Sequence, residues 1–257
     1  MKVALCLFGL PRCLELSYIL HKYYIIDELN ADIFIHTWDK NNGGNRMNET
    51  SHNLIQSSCF SSSDKKSLIT DNPCNTMEVD NFIKEKIKPK KYLIENYNNF
   101  KNINGDSSTA AMYWSIKKSN ELKKEFEIEN NTKYDLVIIS RMDLLFKTNI
   151  PYIEIEESIK SSEFIYMTTN RDKNAYGWHD IQPDKNSDMF IFGNNELINI
   201  YSNSFDTWLD NKNLVSEEVY YNHLNKFNIK TKISDIKFMG MVNYTINEWY
   251  AVYHSFN

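Results

Sequence analysis

The segment "DLVIISRMDLLF", residues 135–146, decides the architecture. Leu136, Val137, Ile138 and Ile139 run on without polar alternation, the pattern of a strand covered on both faces, as in the parallel sheets of α/β proteins. Arg141 and Asp143 then fall at its carboxyl end. In open α/β sheets ligands bind at that edge, because loops and helix starts converge on it. Residues two apart on a strand share a face, so the guanidinium and the carboxylate are expected to meet one ligand, against the plainer reading of a strand-end salt bridge.

Working outward, strand-like and helix-like segments alternate, which predicts α/β layers with a mostly parallel central sheet flanked by helices. Lys2 to Phe8 reads as a first strand, followed by the turn Gly9-Leu10-Pro11-Arg12 and a helix from about Leu14 to Leu29. "ADIFIHTWD", residues 31–39, is a second strand with His36 and Asp39 near its carboxyl end. Residues 40–77 are rich in Asn, Ser and Asp with little periodicity, and read as a loop or lid insertion. A short helix is expected over Val79 to Ile87 and a short strand over Tyr92 to Ile94. "GDSSTAAMYWSIKKSNELKKEFE" opens on helix-capping residues and puts Met112, Ile116, Leu122 and Phe126 near one face of a long helix. Further strands are expected from Glu163, over Met189 to Phe192 and over Lys230 to Ser234, with helices around Leu197 and through "SEEVYYNHLNKFNI". At 257 residues without an internal repeat, one domain spanning 1–257 accounts for the chain.

Composition narrows the function classes. A net charge of −5 without a basic stripe argues against a nucleic-acid partner. Cys6, Cys13, Cys59 and Cys74 form no C-x-x-C pair, so neither a zinc site nor a disulfide framework is indicated, and a reducing, cytoplasmic setting is expected. No apolar run is long enough to span a bilayer, which leaves at most a peripheral membrane contact.

The turn Phe8-Gly9-Leu10-Pro11-Arg12 sits where α/β proteins bring backbone amides to a nucleotide, but it lacks the glycines of dinucleotide and P-loop motifs. Arg12 reads equally as a diphosphate partner or as a surface ion pair. A carboxylate such as Asp143 suits a hard cation, Mg²⁺ or Mn²⁺, bridging phosphate oxygens. Ser216-Glu217-Glu218 is ordinary helix-start chemistry when read alone, with Ser216 as the cap. Trp178-His179-Asp180 offers an aromatic face and polar groups suited to a sugar ring. His254, taken singly, reads as a structural histidine.

Taken in order, "VALCLFGLPR", "IFIHTWD", "YDLVIISRMDLLF", "SDMFIFGNNELINIYSNSF", the acidic "SEE" helix and a late His resemble glycosyltransferases of the GT-A type, nearest to small bacterial and giant-virus sugar transferases with R-x-D in place of D-x-D. The likeness spans most of the chain outside the insertion. It implies a GT-A-like, Rossmann-like fold and transfer of a sugar from a nucleoside diphosphate donor to a hydroxyl of a glycan or other acceptor. By the same resemblance Phe8, Gly9, Leu10 and Arg12, with His36 and Asp39, would face the nucleotide. Asp143 and His254 would hold a divalent cation on the diphosphate, with Arg141 in the place of the first acidic residue, where it can neutralise phosphate itself. Glu218 matches the catalytic base of inverting members, with Glu217 beside it, and Asp188 the acceptor contact. Two rival readings stand beside this one: a non-catalytic nucleotide-sugar-binding protein of the same fold, and a metal-dependent phosphohydrolase.

Overall fold

The computed structural model describes residues 1–11, 14–39, 76–169 and 186–240, and every structural statement below concerns these. Strand β1 (Val3–Gly9) is the centre of the molecule. It pairs in parallel with β2 (Asp32–Trp38) on one side and β4 (Leu136–Arg141) on the other, and β3 (Lys91–Glu95) continues the parallel set beyond β2. The seven-stranded sheet runs β3-β2-β1-β4-β7-β6-β8, with β6 (Phe164–Thr169), β7 (Asn186–Asn194) and β8 (Lys230–Ile233) completing it. Only β7 is reversed: it is antiparallel to both β4 and β6, while β6 and β8 are parallel. The architecture is therefore α/β, a mostly parallel mixed sheet flanked by helices in one domain.

The apolar runs behave as strands because both of their faces are covered. Ala4, Cys6 and Phe8 of β1 join Phe34, Tyr113, Ile116, Ile198, Tyr201 and Trp208 in a core under the helices Ser108–Glu129, Asn195–Tyr201 and Ser204–Asp210. Val3, Leu5 and Leu7 of the same strand pack on the other side with Leu14, Ile25, Ile83 and Ile155, from the helices Leu14–His21 and Tyr152–Lys160 and the π-helical turns Lys22–Ile26 and Ile83–Ile87. Each of the Val, Leu, Ile and Phe side chains among these, taken fully out of water, contributes roughly 1.5–3 kcal/mol, enough to fix which residues of β1 face which layer. Among the described residues no helix is long and apolar enough to cross a membrane.

Several sequence expectations need adjustment. The helix expected from Val79 begins at Thr76, and residues 40–75 of the expected insertion lie outside the described residues. The strand around Met189 is longer than its apolar run and antiparallel, a direction that an apolar run does not encode. Helices Tyr97–Asn104, Tyr152–Lys160 and Ser204–Asp210 were not anticipated, nor was the small sheet that pairs β5 (Leu144–Phe146) with β9 (Phe238–Gly240).

Candidate active site

The carboxyl ends of β1, β2, β3 and β4 meet the amino end of reversed β7 at one edge of the sheet. At the end of β1, Gly9 takes a φ of +106°, in the left-handed region that only glycine enters cheaply, and a Cβ there would meet nothing within 4 Å. Both of its backbone groups are held from below. Its N–H donates to Ser115 Oγ at 2.9 Å, and its carbonyl accepts from Thr37 Oγ1 at 2.8 Å. Leu10 is partly buried and Pro11 buried, while Arg12 lies outside the described residues.

Next to this turn, Arg141 pairs in register with Phe8, and the Met142 N–H donates to the Phe8 carbonyl at 3.1 Å. The strand ends at Arg141, so Asp143 stands in the following turn and not on the strand face that two-residue spacing predicts. The turn brings the two side chains against each other. Arg141 Nε and Nη2 reach Asp143 Oδ1 and Oδ2 at 2.9 and 2.5 Å, a bidentate fork in which Asp143 is buried and Arg141 keeps 24 % of its side chain exposed. Behind the fork, buried His21 donates from Nδ1 to the Ser17 carbonyl at 2.8 Å and meets Ser140 Oγ through Nε2 at 3.0 Å. Burial pushes its pKa down to about 4 against the opposing pull of bonds to the backbone at Ser17 and Arg141 and of the Asp143 charge, so it is neutral at neutral pH.

The third part comes from β7 and the helix Ser216–Lys226. This helix starts after Val215, so Ser216 is its first helical residue and not its cap. The Ser216 hydroxyl is thereby released to donate to Asp188. The Ser216 carbonyl accepts from the Tyr113 hydroxyl at 2.9 Å. Burial raises the Asp188 pKa, and the nearby Glu217 charge raises it further, with Ser216 and Arg141 acting in the opposite direction. The fork and the acidic group stand on neighbouring strands, Arg141 at the end of β4 and Asp188 on β7. Burial is the main cause of the raised pKa values of Tyr201 and Tyr220, and the Asp188 charge adds to it.

The structure separates the other sequence candidates by role. Glu217 and Glu218 are both exposed, but Glu218 Oε2 accepts the Val215 N–H at 3.1 Å, serving the start of the helix. Asp39 accepts from the Tyr97 N–H at 2.9 Å and from Asn96 Nδ2 at 2.5 Å, tying β2 to the helix Tyr97–Asn104. His36 is fully buried below the edge, with Nδ1 2.7 Å from Ser115 Oγ and Nε2 2.8 Å from Glu95 Oε2. His254 and the Trp178-His179-Asp180 cluster lie outside the described residues. Sequence reasoning missed Glu95, Tyr113 and Ser115, and gave Ser216 no ligand-facing role. No spacing rule links Ser115 to residue 36 or Ser216 to residue 188.

For a divalent cation the fit is incomplete. Both oxygens of Asp143 face Arg141, and among the described residues no group of three or more His, Cys, Asp or Glu side chains could hold a metal ion. The described residues alone do not assemble a cation site. In comparisons with known proteins, the chain matches no family model and no curated protein.

Proposed function

We propose that the protein is a glycosyltransferase of GT-A type that moves a sugar from a nucleoside diphosphate to a hydroxyl of a glycan or other acceptor. The observation that carries this reading is the bidentate Arg141–Asp143 fork at the carboxyl end of β4, next to the strand β7 that bears Asp188 and its Ser216 donor. In the transfer, the bond from the anomeric carbon to the diphosphate oxygen breaks, a bond to the acceptor oxygen forms, and the acceptor proton must leave. Arg141, partly exposed and locked by Asp143, meets the charge that develops on the diphosphate. Asp188, whose raised pKa favours proton uptake, is assigned as proton acceptor, with Glu217 beside it to bind acceptor hydroxyls. Glu218 is given the helix-start role, because its carboxylate already serves the Val215 amide. A divalent cation, Mn²⁺ or Mg²⁺, would supply further charge neutralisation on the diphosphate.

The test is a thermal-shift screen of nucleoside diphosphates and their sugars, with and without Mn²⁺, followed by measurement of nucleoside diphosphate release from any stabilising donor. Stabilisation by a donor and its acceptor-stimulated turnover are the expected results. If no nucleoside diphosphate raises the melting temperature, the reading fails. Turnover of nucleotides that carry no sugar would favour a phosphohydrolase instead.

A further inference from the structure

Below the proposed nucleotide edge, a chain of hydrogen bonds runs from the surface into the turn after β1. Glu95 Oε2, on a side chain 29 % exposed, accepts from Trp114 Nε1 at 2.6 Å and lies 2.8 Å from His36 Nε2. His36 Nδ1 is 2.7 Å from Ser115 Oγ, and Ser115 Oγ accepts the Gly9 N–H at 2.9 Å. The direction of each bond follows from chemistry. An ionised Glu95 can only accept, so His36 carries its proton on Nε2. Burial keeps the ring neutral, so Nδ1 accepts, and the Ser115 hydroxyl donates to it. The second hydroxyl partner within reach, the His36 carbonyl at 3.2 Å, is the longer contact. With its hydrogen committed to His36, the Ser115 oxygen turns a lone pair to Gly9.

A Ser, His and Glu in line invite comparison with a nucleophilic triad, but Ser115 and His36 have no exposed surface, so no substrate reaches the hydroxyl. The chain instead ends on a backbone N–H at a residue with φ +106°, where the main chain leaves the strand. We propose that Ser115, oriented by His36 and Glu95, is a positioning residue that clamps Gly9 and so sets the shape of the turn that meets the donor diphosphate. This rests on the proposed function for the ligand, though not for the clamp itself. Released from Ser115, the Gly9 amide would lose the buried acceptor that fixes its direction, and the Met142 bond to the Phe8 carbonyl and the Thr37 bond to the Gly9 carbonyl would be left to hold the turn through Leu10 and Pro11.

The test uses the full chain and two serines of one helix. Ser115→Ala removes the clamp. Ser119→Ala removes an equally buried hydroxyl that bonds within its own helix, to the Ile116 carbonyl at 2.9 Å. Hydrogen exchange at the Gly9 amide is expected to quicken tenfold or more in Ser115→Ala and to stay unchanged in Ser119→Ala. Binding of the nucleoside diphosphate that stabilises the wild type best is expected to weaken about tenfold in the first variant alone. In the wild type, imidazole nitrogen shifts should show His36 protonated on Nε2 and bare on Nδ1, which decides the bond directions even if Ser115→Ala does not fold. Equal effects of the two variants, unaltered Gly9 exchange, or a His36 proton on Nδ1 would overturn the clamp. If Gly9 exchange responds as expected while the wild type binds no nucleoside diphosphate, the clamp stands and the glycosyltransferase reading falls.

Discussion

The Arg141–Asp143 fork is the residue-scale feature on which the proposed diphosphate site rests. Both of its hydrogen bonds depend on the planar guanidinium, and lysine, a point charge on a flexible stem, cannot reproduce them. Arg141→Lys is therefore expected to keep the local charge, cost about 1–2 kcal/mol of stability in urea unfolding, and weaken nucleoside diphosphate binding roughly tenfold in calorimetric titration. Full diphosphate affinity in the folded variant would reduce the fork to a structural pair. The two acidic candidates, Glu218 in the first turn of the helix Ser216–Lys226 and Asp188 on β7, diverge as sharply. In Glu218→Gln the amide oxygen can still accept from Val215, so stability is expected to change by only a few tenths of a kcal/mol and turnover to stay near normal. Asp188→Asn keeps the shape but cannot take a proton, and should lower turnover by roughly a hundredfold or more at unchanged donor affinity. The opposite pattern in initial rates of nucleoside diphosphate release would return the base to Glu218.

At the scale of elements, the helix Ser108–Glu129 shows where sequence reading stops. Its apolar periodicity marks Met112, Ile116, Leu122 and Phe126, yet of these only Ile116 is fully buried. The innermost face also carries Ser115, Ser119, Asn120 and Lys123, polar residues that a hydrophobic pattern assigns to solvent. Ser119 bonds within the helix, to the Ile116 carbonyl, but the others are tolerated because partners arrive from distant segments: Ser115 meets His36, Asn120 donates to Asn199, and Lys123 Nζ donates to Asn195 and, at 3.0 Å, to Asn199. The strands β1, β2 and β4 were legible because strands buried on both faces need no partner information. The direction of β7 and the β5–β9 pairing were not, since both are settled by contacts between distant segments. The site followed the same rule: Arg141 and Asp143 could be read as neighbours, whereas the Ser216 to Asp188 bond could not. The polar face has a testable cost. Lys123→Met fills the same space but leaves the Asn195 and Asn199 oxygens without that donor, and should lower the urea unfolding free energy by about 1–3 kcal/mol. An equally stable variant would show the buried ammonium to be dispensable.

Buried histidines pin the sheet to its helices and the helices to one another, and this gives the stability of the whole molecule a direction with pH. His21 ties the helix Leu14–His21 to β4, and His36 ties β2 to the long helix. His223 joins the helix Ser216–Lys226 to Thr207 at 2.9 Å and to the Ile200 carbonyl at 2.8 Å. Burial is the leading cause of a lowered pKa in all three, opposed in each by hydrogen bonds that favour the charged ring. In the unfolded chain these rings take up protons near pH 6.5, while the folded protein resists until lower pH, about 4 for His21. Between those values the unfolded state binds more protons, so unfolding free energy falls as pH falls and is steady above about 7. Glu95 adds a loss at still lower pH: burial pushes its carboxyl up, but the bonds from His36 and Trp114 more than offset this and hold its pKa below the usual value. Asp188, with its raised pKa, works in the opposite sense but as one group against several. The difference for His21 alone corresponds to about 3 kcal/mol by pH 4, a large share of the 5–15 kcal/mol typical of a domain. Urea unfolding from pH 8 to 4 should therefore show a plateau followed by a decline beginning near pH 6.5, and His21→Gln, though less stable at pH 7, should decline less steeply. A flat profile between pH 7 and 5 would mean that these rings are protonated in the folded state, and that the sheet and its two helix layers are not held by neutral imidazoles.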